Sequence, residues 1–185
     1  VNELKGKLET FRTLNNNEIR KLNDIAKKYN IKYQNKHKLD LVDEILSNVD
    51  VIPNSIVLAQ AAIESGWGKS RFAKEYNALF GEYTYDDSEG VIPLERENGD
   101  THLIKAFSSY SNSVESYFDN INSHYAYEDF RDIRNIMRKR NNFSNVNLLV
   151  NKLSTYAEDE NYIKTIRQVI KTNNFGIFDQ KTISY

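Results

Sequence analysis

Apolar residues recur at helical spacing through most of the chain, with charged residues between them. The spacing predicts amphipathic helices at residues 3–14, 17–29 and 38–47, and again from 111 to about 173. We therefore expect a mainly helical protein, with a helical N-terminal region at residues 1–50 and the larger region at 51–185.

The segment from Pro53 to Glu64 has a different pattern, because its residues are apolar or small on nearly every face. Such a composition is typical of a buried central helix. The fixed φ and missing N–H of Pro53 suit the first turn of a helix, and Gly66 is a natural stop. The sequence thus predicts a central helix that ends close to Glu64.

Residues 81–105 contain strand formers between two groups of turn residues, at 86–90 and 97–100. The Asn98-Gly99 pair is a good signal for a two-residue hairpin turn. We therefore expect a small antiparallel β lobe, which makes the fold class α+β, mainly α.

Charge and composition exclude several kinds of partner. The 25 basic and 26 acidic residues leave a net charge of -1, which gives no general attraction for nucleic acid. No apolar run approaches the roughly 20 residues of a membrane span, so membrane insertion is not expected. The sequence has no cysteine, hence no thiolate site and no disulfide. We expect a monomer.

Glu64 stands out as the ionisable residue at the end of the apolar helix, directly before Gly66-Trp67-Gly68. Burial beside an indole should penalise the charged form of the carboxyl and raise its pKa. A protonated carboxyl can give its proton to a leaving oxygen, as a general acid does. From the residues alone, a capping or salt-bridged carboxylate explains the position equally well.

The stretch IPNSIVLAQAAIESGWGKSRFAKEYNALFG resembles the motif of the glucosaminidase-type peptidoglycan hydrolases, glycoside hydrolase family 73, and of their Bax-like branch. The similarity continues through IKAFSSYSNSVESYFDNINSHYAYEDFRDIR and STYAEDENYIKTIRQVIK. It covers roughly residues 50 to 174.

This resemblance implies a lysozyme-like helical domain and hydrolysis of the β-1,4 bond between N-acetylglucosamine and N-acetylmuramic acid. Glu64 is at the position of the family's catalytic acid. The partner implied is the peptidoglycan glycan strand, no cofactor is expected, and the substrate implies an extracellular or cell-wall location. The sequence itself contains no recognisable export signal.

The resemblance also implies substrate-binding positions. Trp67 can stack on a sugar, and Tyr127 matches a tyrosine that lies near the catalytic acid in this family. Phe80 matches a residue that shapes the cleft, although a core position suits it at least as well. Many relatives have two asparagines before the Leu-Phe-Gly turn. Asn77 matches the first of them, but Ala78 occupies the position of the second.

Two tyrosines of the last matching stretch, STYAEDENYIKTIRQVIK, are further candidates for substrate binding. Tyr156 is expected either to line the cleft or to pack between helices. Tyr162 is read mainly as helix packing.

A second carboxylate is needed as base or nucleophile unless the substrate's own 2-acetamido group attacks. The resemblance places Glu95 at the family's partner position. Glu97 would point to the opposite face of a regular strand, and Glu89 is a weaker candidate. Glu82 lies just before the hairpin. Bax-like relatives often lack an acid here, so these possibilities stay open.

Other chemistries have little support in the sequence. The histidines, His37, His102 and His124, lack metal-ligand spacing, so no metal site is expected. The arginine-rich run at 131–140 is interpreted as a solvated helix face that could also attract anionic wall polymers. A lytic transglycosylase and a non-catalytic wall-binding module remain the alternatives to a hydrolase.

Overall fold

The computed structural model describes residues 1–10, 13–93, 101–140, 142–143, 145–157 and 159–181. Within these ranges it is mainly helical and carries a small three-stranded sheet. The α-helices are α1 (Asn2–Glu9), α2 (Asn16–Lys28), α3 (Lys38–Asn48), α4 (Asn54–Glu64), α5 (Arg71–Tyr76), α6 (Tyr110–Ser123), α7 (Glu128–Lys139), α8 (Asn147–Val150) and α9 (Tyr162–Thr172). Short 3₁₀ helices occur at Tyr125–Tyr127, Asn151–Leu153 and Phe175–Lys181.

The chain divides into two compact units. The first consists of Val1–Val51 and Asp119–Tyr156, and the second of Ile52–Phe118 and Ala157–Tyr185. The predicted division into residues 1–50 and 51–185 stays a prediction. Residues 119–156, which the sequence groups with the larger region, belong in the structure to the unit of the N-terminal helices.

The first unit contains an apolar core supplied mainly by α2 and α3. The helices form where the sequence predicts them, because apolar residues on one face of each are removed from water. An Asn15–Glu18 capping box fixes the start of α2, with the Asn15 side chain accepting from the Glu18 backbone N–H at 3.0 Å. The core consists of Leu22, Ala26, Ile31, Leu41, Val42 and Ile45.

Two arginines of α7 depart from the expectation of a solvated helix face. Arg131 is 7% exposed and Arg134 is fully buried. Arg134 donates to the backbone carbonyls of Asn48 and Asp50, at 2.6 and 3.0 Å. These carbonyls lie beyond the regular hydrogen bonding of α3, so the guanidinium supplies donors to partly buried backbone acceptors. The arginines of this face are thus structural.

The second unit is built around α4, which packs against α9 and the C-terminal 3₁₀ helix. Pro53 is the N-cap residue of α4, one position before the predicted first turn. One N–H group of this helix end is bonded by the C-terminal segment, where the Asp179 carboxylate accepts from the Ser55 backbone N–H at 2.8 Å.

The sheet also belongs to the second unit. Its strands are β1 (Tyr83–Thr84), β2 (Gly90–Val91) and β3 (Leu103–Lys105). The order is β1-β3-β2 and both pairings are antiparallel. The small antiparallel lobe expected from the sequence is therefore present. The Asn98-Gly99 turn lies outside the described residues.

No helix among the described ranges is long and apolar enough to cross a membrane.

Candidate active site

Glu64 is the last residue of α4, and the backbone that follows it ends the helix sharply. Gly66 has φ +57°, and its N–H donates to the Ile63 carbonyl at 3.2 Å. The Trp67 N–H reaches back to the Ala62 carbonyl at 2.7 Å. These two bonds form a Schellman motif, so the predicted stop at Gly66 is confirmed.

The left-handed conformation continues beyond Gly66. Trp67 and Gly68 have φ values of +58° and +72°. A tryptophan in this region is uncommon and needs support from its surroundings. Ser65 gives part of that support, because its hydroxyl accepts from the Gly68 N–H at 2.7 Å while donating to the Ala61 carbonyl at 2.6 Å. The Glu-Ser-Gly-Trp-Gly motif is thus one locally bonded turn directly after the candidate acid.

The Glu64 carboxyl group is half-buried and has a phenol as its hydrogen-bond partner. The Tyr162 hydroxyl, on α9, donates to Oε1 at 2.7 Å. Burial raises the pKa of Glu64 above its ordinary value, and the bond from Tyr162 opposes that shift in part. The carboxyl is therefore held in a setting that favours its protonated form.

Behind Tyr162 lie two further buried polar side chains. Gln60, one turn before Glu64 on α4, donates from Nε2 to the Tyr162 hydroxyl oxygen at 2.9 Å. The Tyr117 hydroxyl on α6 donates to Oε1 of Gln60 at 2.6 Å. Burial and the nearby Glu64 charge raise the pKa of Tyr162, so this phenol stays neutral. A chain of hydrogen bonds therefore connects the interior of the second unit to the candidate acid.

The Leu79-Phe80-Gly81 turn lies beside the other carboxyl oxygen. Gly81 has φ +62°, and a Cβ atom placed on it would lie 3.7 Å from Oε2 of Glu64. Glycine at this position thus meets the requirement of a left-handed backbone, directly beside Oε2.

Two predicted binding residues, Phe80 in this turn and Asn77 just before it, have structural roles. Phe80 is 2% exposed and stacks on Tyr117, with ring centroids 4.2 Å apart, so it packs in the core beneath the site. Asn77 ends α5 at φ +53°, and its amide donates to the Phe107 carbonyl at 2.9 Å. Neither side chain depends on a ligand for its contacts.

Trp67 is the predicted binding residue with the most accessible ring. It is 55% exposed, and one side of the indole approaches Phe175 with centroids 6.4 Å apart. A flat, amphipathic ring with this exposure is suited to stacking on a sugar.

The two remaining predicted binding residues belong to the first unit. Tyr127 lies in the 3₁₀ turn before α7 and is 6% exposed. Its ring centroid is 6.2 Å from that of Tyr156, which is half-buried. The structure thus brings these two tyrosines together within their own unit.

Among the candidate second carboxylates, Glu95 and Glu97 lie outside the described residues. Glu89 is exposed in the turn before β2. Glu82 directly follows Gly81 and is half-buried, with Oε2 removed from solvent.

The described part of the chain contains no group of three or more His, Asp or Glu side chains able to hold a metal ion. His102 stacks on Tyr83 with centroids 4.2 Å apart, and His124 caps the 3₁₀ turn through a bond from the Ala126 N–H.

The second unit thus combines a small β lobe with a central helix that ends at a half-buried glutamic acid. Residues 39–175 match the family model "Glucosaminidase: Mannosyl-glycoprotein endo-beta-N-acetylglucosaminidase". This match spans most of the chain, which therefore belongs to the glucosaminidase family.

Relatives in sequence and structure agree with this assignment. The chain is 35% identical over 137 residues to the protein Bax of Escherichia coli K12, covering 74% of this chain and 48% of Bax. It is also 35% identical over 92 residues to the peptidoglycan hydrolase FlgJ of Escherichia coli O157:H7, covering 44% of this chain and 29% of FlgJ. The chain thus spans about half of Bax and less than a third of FlgJ.

The fold is similar to that of a solved catalytic domain. The catalytic domain of the autolysin Auto from Listeria monocytogenes superposes with a TM-score of 0.54 at 17% identity, with 96% of each chain covered. This similarity confirms the predicted fold class.

Proposed function

We propose that the chain is a peptidoglycan hydrolase that cleaves the β-1,4 bond between N-acetylglucosamine and N-acetylmuramic acid, with Glu64 as its general acid. The observation that carries the proposal is the Glu64 carboxyl, half-buried at the end of α4 with its pKa raised by burial. Family membership supports the reaction class, and the name of the relative FlgJ supports the choice of substrate.

In this reaction the protonated Glu64 carboxyl gives its proton to the glycosidic oxygen as the bond to the anomeric carbon breaks. Water adds at that carbon, so the products are a new reducing N-acetylglucosamine end and a free 4-hydroxyl on N-acetylmuramic acid. Because Oε1 accepts a hydrogen bond from Tyr162, Oε2, which lies beside Gly81, is the better placed oxygen to donate the proton.

A sugar contact is proposed for Trp67 on the basis of its exposed ring, and for Tyr127 and Tyr156 on the basis of the family resemblance alone. Trp67 offers an accessible indole face, while Tyr156 remains half-accessible. Since the substrate lies outside the cytoplasm, the same proposal implies action at the cell wall.

For the second carboxylate we propose Glu95, on the basis of the family resemblance. Glu95→Gln is expected to lower the rate of wall lysis about 10²-fold, the usual contribution of a general base. The measurement is the initial rate on purified peptidoglycan, with Glu97→Gln, Glu89→Gln and Glu82→Gln assayed in parallel. A small effect of Glu95→Gln beside a large effect of one of the others would transfer the role to that residue.

If all four variants stay within a few-fold of the parent, attack by the substrate's 2-acetamido group becomes the better mechanism.

The test of the reaction is digestion of purified peptidoglycan, reduction of the products with borohydride, and mass spectrometry. A glucosaminidase yields reduced N-acetylglucosamine at the new ends, with one water added per cut. Products lighter by one water, with 1,6-anhydro ends, would show a lytic transglycosylase instead. Binding of the walls without any new ends would favour a non-catalytic module.

A further inference from the structure

The hydrogen bonds behind Glu64 run in a single direction. An amide side chain accepts only at its oxygen and donates only at its nitrogen. Tyr117 donates to the Gln60 oxygen, and the Gln60 nitrogen donates to the oxygen of Tyr162. The Tyr162 hydroxyl thus has its own hydrogen available for Oε1 of Glu64.

This direction determines which oxygen of the acid carries the proton. An oxygen that already accepts a hydrogen bond from Tyr162 serves as the carbonyl oxygen of a protonated carboxyl group. The proton then sits on Oε2, the oxygen that lies beside Gly81.

Burial protects these hydrogen bonds from competition by water. Gln60 and Tyr117 are fully buried and Tyr162 is 4% exposed, so water competes poorly for these groups. In the reverse arrangement the Tyr162 hydroxyl would donate a hydrogen bond to Gln60 and accept one from the protonated Glu64 carboxyl. The acid proton would then point away from a substrate, into the interior.

We propose that Gln60 is a positioning residue: by fixing the direction of donation from Tyr117 through Tyr162, it keeps Oε1 of Glu64 an acceptor and the acid proton on Oε2. The proposal rests on the proposed function of Glu64. It assigns a role to a residue whose amide is bonded to Tyr162 and Tyr117.

The two directions predict opposite effects of Tyr162→Phe. If Tyr162 donates to Glu64, the bond stabilises the carboxylate, so its loss raises the pKa of Glu64. If Tyr162 accepts from Glu64, the bond stabilises the protonated form, so its loss lowers that pKa. Titration of ¹³C-labelled glutamate by NMR measures the change, with the Glu64 signal assigned from its absence in Glu64→Gln.

Gln60→Met tests whether Gln60 acts through Tyr162. We expect it to raise the pKa of Glu64 less than Tyr162→Phe does, and to have no further effect when combined with Tyr162→Phe. It should also lower kcat about fivefold, the value of one hydrogen bond, with little change in KM. Gln168→Met, an exposed substitution on α9, is the matched control and should leave both quantities unchanged.

A fall in the Glu64 pKa on Tyr162→Phe would overturn the proposal. So would a Gln60→Met effect of equal size in both backgrounds, because Gln60 would then act independently of Tyr162. If Gln60→Met does not fold, Tyr117→Phe takes its place in the same cycle, since it keeps the ring that stacks on Phe80. The titration needs no enzymatic activity, so it gives its answer even if wall lysis survives Glu64→Gln.

Discussion

Glu64→Gln is expected to reduce lysis of purified peptidoglycan by about 10³-fold or more, within the range for loss of a general acid. Glutamine keeps the shape of the side chain and can still accept from Tyr162, but it has no acidic proton to give to the leaving oxygen. The measurement is the rate at which new reducing ends appear. Glu75→Gln, an exposed carboxylate on α5 of the same unit, is the control and should retain full activity.

The pH dependence of the parent gives the same test a second readout. Because a general acid must be protonated, activity should fall as the pH rises through the raised pKa of Glu64. Activity of Glu64→Gln within a few-fold of the parent would refute the role of Glu64 as the acid.

The unfolding temperature of Glu64→Gln shows whether the variant has lost only the catalytic acid or the fold as well. The folded-state pKa of Glu64 lies above the ordinary 4.5, so folding favours the protonated form. That contribution is fully present below pH 4.5 and is lost as the pH rises through the folded-state value. Glu64→Gln should therefore unfold at the same or a higher temperature than the parent at neutral pH, with the difference shrinking in acid. A lower unfolding temperature at neutral pH would mean that the substitution damages the fold.

The central helix and its end were predictable because their causes are local. A continuous run of apolar and small residues specifies a buried helix, and Gly66 specifies the left-handed residue that ends it. Burial of Glu64 follows from its place at that end. The sign of its pKa shift therefore follows from sequence as well.

The partner of Glu64 could not be predicted in the same way. Tyr162 lies 98 positions along the chain and reaches the acid only through the packing of α9 on α4. It was read as helix packing, whereas Tyr156 was the candidate for the cleft. One signal was present in the sequence: Gln60 is a polar residue inside an apolar helix, one turn before Glu64. A buried amide in such a place requires polar partners.

The arginines of α7 show the complementary difficulty. Charge predicts exposure for most residues, but a guanidinium has five donors that can serve backbone carbonyls in the interior. Most acceptors of Arg134 are main-chain carbonyls, which no side-chain pattern reports. Its spacing from Phe130 and Met137, both buried, was the available hint that it shares the inner face.

Arg134→Met is expected to destabilise the protein by about 4 kcal/mol, since each buried acceptor left without a donor costs about 1–3 kcal/mol and the costs are not fully additive. Methionine keeps much of the apolar stem but supplies no donor for the carbonyls of Asn48 and Asp50 or for the side-chain oxygen of Asn122, 2.7 Å from the guanidinium. Urea unfolding followed by circular dichroism measures the change.

Two further substitutions on α7 show whether the donors of Arg134 are responsible. Lys139→Met removes an exposed cation from the same helix and should change the free energy of unfolding by no more than about 0.5 kcal/mol. Arg134→Lys should fall between the parent and Arg134→Met, because an ammonium group can still donate to some of these acceptors. Equal losses for the lysine and methionine variants would indicate that the shape of the guanidinium is what matters. A loss below about 1 kcal/mol for Arg134→Met, on the scale of one hydrogen bond, would mean that water satisfies the carbonyls and that the arginine does not hold this unit together.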